Sequence, residues 1–216
     1  MTEIPSASFI EKFKATTGAF SVAEAIALYN ICLQAPDGNY IELGTHKGKS
    51  TLVALAALKP NIFTLVEPEF DKSIPIKEVA ETISSFRKGF TICYSPTYST
   101  DVLQPIDGVD KVKYAYVMLD SGDHGEELVQ AEKTLLEDRI ISGGILAMHD
   151  LNNQFTAVRR MYDQLLQTGL YEEVKVDWPA ILKYVTENNL EEGNQSWHLY
   201  PDLGHPPNFV GAVRRK

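Results

Sequence analysis

Five short apolar runs punctuate the first 150 residues: Tyr40–Leu43, Ile62–Glu67, Phe90–Tyr94, Tyr114–Asp120 and Ile145–His149. Between them, residues 48–58, 74–86 and 124–140 carry apolar side chains at helical spacing, and 97–104 is long enough for a short helix. Runs this short and this apolar suit strands buried on both faces, and their alternation with helices predicts a doubly wound α/β sheet with mostly parallel strands. A further helix is expected over 154–167, with Phe155, Val158, Met161, Tyr162 and Leu165 as its core stripe and Gly169 just beyond its end. Residues 171–177 and 209–214 both alternate apolar and polar, which predicts an antiparallel C-terminal edge and seven strands in all. Residues 178–208 between them, rich in Pro, Asn, Gly and aromatics, read as one long loop of the kind that forms lids.

Residues 6–35 read as one or two helices ended by Pro36-Asp37-Gly38. The expected division is therefore an N-terminal helical segment, 1–37, that caps a cleft or mediates self-association into a homo-oligomer, and a main domain, 38–216. No apolar run approaches the roughly 18 residues of a membrane helix. The first residues lack the basic start and apolar stretch of a secretory signal. Cys32 and Cys93 lie in apolar surroundings without metal-type spacing, so both are expected to be buried, and a reducing cytoplasm is the expected location. The formal net charge is −9, and the basic clusters that stand out are the pair Arg159-Arg160 and Arg214-Arg215-Lys216. A nucleic-acid partner needs a basic face for phosphates, so a small molecule is the expected partner.

In open α/β sheets ligands bind beyond the carboxyl ends of the strands. The loop after the first strand, Glu42-Leu43-Gly44-Thr45-His46-Lys47-Gly48-Lys49-Ser50-Thr51, is the first place to look. A triphosphate loop needs four residues between its first glycine and its Gly-Lys-Ser, but Gly44 and Gly48 enclose three, and Glu42 would repel phosphates. A dinucleotide fingerprint needs glycine at 46, where this chain has His, although Glu67 stands where a ribose-binding acid belongs. The remaining pattern is acid-x-Gly-x-x-x-Gly, an acid beside a tight glycine turn that opens a helix.

At this loop the sequence resembles the class I S-adenosylmethionine-dependent methyltransferases. The likeness narrows with "IELGTHKGKSTLVAL" followed by "YVMLDSGDHGEELVQAEKTLLEDRIISGGILAMHDL", which are similar to the subgroup containing catechol- and caffeoyl-type O-methyltransferases and antibiotic- and sugar-modifying relatives. It covers roughly residues 38–160, with the closing "FVGAVRR" resembling the family's last strand. One departure is that Asp120 and His124 enclose three residues where the subgroup has two. The resemblance implies a Rossmann-like sheet and a donor site using Glu42, Gly44, Thr45, Gly48, Ser50, Glu67 and Asp120. Thr97 would lie near the adenine, or simply cap a helix. Methyl transfer to a hydroxyl of a small molecule is the implied reaction, with Asp120 and His124 catalytic.

In metal-dependent members of the subgroup, acids ending the fourth and fifth strands hold a divalent cation, and the matching positions are Asp120, His149 and Asp150. Mg2+ or Mn2+ is the expected ion, although an imidazole ligand suits iron, nickel or zinc better than magnesium. The other reading of these residues has Asp150 capping the next helix and His149 lining the cleft. Lys47 and Lys49 are expected to be solvated. Two other readings stay open at this point: an NAD-dependent oxidoreductase on a similar sheet, and a methyltransferase-like fold that binds without turnover.

Overall fold

The computed structural model describes residues 2–18, 20–60, 62–86, 91–105, 110–121, 125–151, 156–190 and 210–216. His124, Asp123, Phe155, Trp197, His198, Tyr200 and His205 therefore lie outside the described residues. Among the described residues the elements run α1 (Ala7–Ala15), α2 (Val22–Cys32), β1 (Tyr40–Leu43), α3 (Lys49–Ala57), β2 (Ile62–Val66), α4 (Ile76–Phe86), β3 (Thr91–Ser95), α5 (Ser99–Val102), β4 (Tyr114–Leu119), α6 (Glu126–Leu136), β5 (Ile140–Met148), α7 (Thr156–Gln167), β6 (Tyr171–Glu173), α8 (Trp178–Glu187) and β7 (Gly211–Arg215).

The strands form one sheet in the order β3-β2-β1-β4-β5-β7-β6. β1 pairs in parallel with both β2 and β4, and strand order reverses there, which opens the crevice at the carboxyl ends of β1 and β4. β7 runs antiparallel to β5 on one side and to β6 on the other, so the mixed sheet expected from the tail is present. Side chains alternate across the sheet. Tyr40, Tyr116 and Met118 enter the core beneath α1, α2, α3 and α8, whereas Ile41, Leu43, Val117 and Leu119 enter the core beneath α6 and α7.

The structure corrects four expectations. Residues 178–187 form a helix, not the start of a loop: the Asp177 side chain accepts the Ala180 N–H, a proline sits in the first turn, and Ile181 and Val185 bury one face against α2. Gly143-Gly144 do not precede β5 but lie within it. Tyr114 pairs with Ile140 and Tyr116 with Ile145, so the intervening residues bulge, and a Cβ on Gly144 would meet Ile140 Cγ2 at 2.8 Å. Cys93 is exposed because β3 is the sheet edge, whereas Cys32 is buried as expected. Lys49 is buried, with Nζ 4.4 Å from the centre of the Phe13 ring. Lys47 is exposed, as anticipated.

The N-terminal segment is two helices broken at 16–21, each started by a serine: Ser6 caps α1, and Ser21 with Glu24 forms a reciprocal capping box on α2. α2 packs on α3 and α8, so the segment belongs to the core. Among the described residues no helix is long and apolar enough to cross a membrane.

Because α8 is held by burial, Ile181→Ala is expected to destabilise the fold by about 2–5 kcal/mol. Asp177→Ala should cost about 1 kcal/mol through the lost cap. Urea unfolding of the two variants checks both; a detached lid would leave the midpoint unchanged.

Candidate active site

The crevice is shaped by the loop leaving β1. Gly44 has φ +87°, and a Cβ there would lie 2.0 Å from the carbonyl oxygen of Asp120 at the end of β4. No other residue fits, so the two strand ends cross at backbone contact. The Gly44 and Thr45 N–H groups both donate to Val66 O, at 2.9 and 3.2 Å, tying the loop to β2. Gly48, at φ +80°, starts α3 without a side-chain cap.

Between the glycines, His46 is held in the left-handed region at φ +48°. Its N–H donates to Glu67 Oε2 at 2.8 Å, while Glu67 Oε1 accepts the Glu69 N–H at 3.1 Å. Two amides thus fix the carboxylate that ends β2, which lines the cleft and keeps acceptor capacity beyond those two bonds. Thr45 is 2% exposed, and its Oγ1 has no hydrogen-bond partner among the described residues.

Glu42 is 1% exposed and turned toward α3 by the strand alternation. It accepts the hydroxyl of Ser50 at Oε1 and that of Thr51 at Oε2, the latter at 2.7 Å. Burial pushes its carboxyl up to about 7, the two hydroxyl bonds pull it down, and the charge of Asp120 adds to the rise. Glu42 and Ser50 therefore sit beneath the loop as braces, and neither lines the cleft.

The cleft has a volume of about 580 Å3, within the roughly 300–1,000 Å3 usual for small-molecule sites. Of the residues expected there, Gly44, Glu67 and Asp120 line it. Thr97 does not; its hydroxyl donates to Asp101 at 3.3 Å, while the next two residues, Tyr98 and Ser99, take the wall. Ser121 and Leu128 also line it, and sequence reasoning missed them along with His46 and Tyr98 as wall residues. Buried Glu132 on α6 accepts the hydroxyls of both Ser99 and Ser121, which ties that wall to the helix behind it.

Beside the cleft, β4 and β5 bring Asp120, His149 and Asp150 together, with one ligand atom from each within 4.8 Å of the others. His149 Nδ1 is 3.2 Å from Asp120 Oδ1 and 3.4 Å from Asp150 Oδ2, and Nε2 is 3.0 Å from Glu24 Oε1. Burial favours the neutral ring, but the Asp120 charge and the bonds to Asp120, Asp150 and Glu24 outweigh it and hold the His149 pKa well above the usual value. Phe20 stacks on the imidazole at 4.2 Å between ring centres. Asp150 has φ +58°, a left-handed backbone that Asp tolerates better than most residues. Neither Glu24 nor Phe20 stood out in the sequence as a site residue, since both match ordinary helix-start and core patterns.

Residues 41–151, just over half of the chain, match the family model described as a methyltransferase domain. The chain belongs to this family of S-adenosylmethionine-dependent methyltransferases. No curated protein matches it by sequence. Solved structures share the fold at low identity. The O-methyltransferase TomG of Streptomyces achromogenes, involved in tomaymycin synthesis and solved with S-adenosylmethionine, superposes with a TM-score of 0.62 at 14% identity over 97% of this chain and 87% of its own. An O-methyltransferase from Bacillus cereus, solved with S-adenosylhomocysteine, gives 0.60 at 13% over 98% and 93%. An rRNA methylase from Streptococcus thermophilus gives 0.55 at 10% over 88% and 94%.

Two stability measurements check this geometry. Gly143 also has positive φ but open space around it, so Gly143→Ala should cost only the backbone strain, about 1 kcal/mol. Gly44→Ala adds the collision with Asp120 and should cost clearly more in urea unfolding. Glu42 binds its proton more tightly folded than unfolded, so its contribution to stability is greatest below pH 4.5 and falls as pH rises to about 7. The difference in unfolding free energy between wild type and Glu42→Gln should therefore decline by an amount on the order of 3 kcal/mol across that window and level off above it.

Proposed function

We propose that the chain transfers the methyl group of S-adenosylmethionine to a hydroxyl oxygen of a small-molecule acceptor, with a divalent cation at Asp120, His149 and Asp150. The observation that carries this reading is the arrangement of a donor-sized cleft and a buried carboxylate–imidazole cluster sharing Asp120 as their common wall.

The cleft fits the donor on its own terms. Glu67, pinned by two amides, has acceptor capacity left for a ribose diol. The uncapped start of α3 offers amides to a carboxylate, and a bound ligand would give the buried Thr45 hydroxyl its partner. Bound there, the donor supplies a methyl group on a sulfonium centre. Glu42 serves this site by bracing the loop through Ser50 and Thr51. Tyr98, largely exposed at the cleft wall, is placed to cover a flat ring.

The cluster also fits a cation, because donor atoms from half-buried Asp120 and from buried His149 and Asp150 converge within 4.8 Å. A divalent cation held there would make an acceptor hydroxyl easier to deprotonate. Asp120, bordering both the cleft and His149, orients the acceptor, and His124 is the candidate base on sequence grounds. As the methyl bonds to oxygen, its sulfur bond breaks and the hydroxyl proton passes to that base, leaving S-adenosylhomocysteine. The net charge of −9 favours a small acceptor over an RNA backbone, although rRNA methylases share the fold.

Calorimetric titration with S-adenosylmethionine or S-adenosylhomocysteine tests the donor site, and no heat at millimolar ligand would sink it. Glu67→Ala removes charge-assisted acceptors worth about 1.5–3 kcal/mol, so affinity for the donor should fall roughly 10- to 100-fold. Turnover against a panel of small hydroxylated acceptors should stop on chelation and in Asp120→Ala and Asp150→Ala; activity restricted to RNA would overturn the acceptor class.

A further inference from the structure

We propose that Glu24 of α2 is the positioning residue of a transition-metal site, fixing His149 in the tautomer that turns its Nδ1 lone pair toward Asp120 and Asp150. This rests on the metal reading above and adds a residue from the N-terminal segment, together with a preference among ions.

The Glu24 carboxylate is itself fixed. Its Oε2 accepts the Ser21 N–H at 2.9 Å as half of the capping box, which leaves Oε1 to face His149 Nε2 at 3.0 Å. Both side chains are buried, Glu24 at 3% and His149 at 4% exposed, so water does not compete for that bond. Phe20 lies nearly parallel to the imidazole, with 21° between the ring planes, and holds the ring's plane. An N–H at Nε2 donated to Glu24 leaves Nδ1 as an acceptor in the neutral ring.

That acceptor faces two others, Asp120 Oδ1 at 3.2 Å and Asp150 Oδ2 at 3.4 Å. Nδ1 and the two carboxylate oxygens need a positive charge among them, the ring proton as the site stands or a metal ion in its place. A carboxylate behind a ligating imidazole is the usual support for such a ring, since it fixes the tautomer and raises basicity. One imidazole with two carboxylates suits Mn2+, Fe2+ or Co2+ better than Mg2+, which prefers oxygen alone. The strained backbone of Asp150 is consistent with a side chain held for binding.

The test uses Mn2+ alone on the full chain, with free ion followed by electron paramagnetic resonance and nitrogen coordination by pulsed measurement of 14N coupling. Wild type should bind one Mn2+ with a 14N signal, and Mg2+ should compete at least tenfold more weakly. His149→Ala should lose the nitrogen signal. Glu24→Gln, which keeps the size of the side chain, should weaken Mn2+ about 10- to 100-fold. Its unfolding midpoint without metal reports whether the capping box survives. Glu24→Asp, shorter but charged, should recover part of the loss if charge behind the ring is what matters. Absence of Mn2+ binding at millimolar ion would overturn the metal reading itself, a proton then holding the carboxylates together. Wild-type binding without 14N coupling, or equal affinity in a folded Glu24→Gln, would overturn only the role given to Glu24. Equal affinity for Mg2+ would overturn the ion preference.

Discussion

The contact on which the rest of the site depends is the crossing of Gly44 over the carbonyl of Asp120. It brings the ends of β1 and β4 closer than any side chain would permit. From that crossing the loop runs on to β2, where Val66 O and the Glu67 carboxylate receive three of its amides. The same crossing sets Asp120 at the cleft wall, where it can face His149 from the neighbouring strand. Glu42 holds the arrangement from below, and its burial, out of reach of solvent, is what pushes its carboxyl up to about 7.

The N-terminal segment is stitched to this machinery at two points. Phe13 receives the Lys49 ammonium at the start of α3, and Phe20 with Glu24 receives His149 at the end of β5. A lysine that reads as solvated is thereby committed to packing, since its ammonium finds a ring face and its stem an apolar surface. The segment from Phe13 in α1 to Glu24 in α2 therefore touches both Lys49 at the loop and His149 at the cluster. The segment supports the site from behind, and any rearrangement of α2 would be felt at His149.

The strands were legible because buried parallel strands are short, apolar and separated by amphipathic helices, and those patterns are local. The loop glycines and Glu67 were legible because spacing along the chain preserves their chemistry. α8 was misread because Pro and Asn after Asp177 look like loop punctuation, whereas a proline in a first turn behind an aspartate cap is a helix start. The bulge in β5 was misread because Gly-Gly signals a turn and a strand irregularity equally well. Thr97 and Tyr98 were exchanged at the cleft wall by the register of one short loop, which no periodicity reports.

By itself, the sequence determined the α/β class and singled out the carboxyl ends of the strands and the acids at 42, 67, 120 and 150 as candidates, because each follows from patterns within a few residues. Only the tertiary structure decided which acids face the cleft and which brace it. Glu42 and Glu67 end adjacent strands, yet strand alternation buries one under α3 while two backbone amides aim the other outward. Glu24 shows the limit most clearly. It lies 125 residues from His149 along the chain, and only the packing of α2 against the sheet brings the two within 3.0 Å.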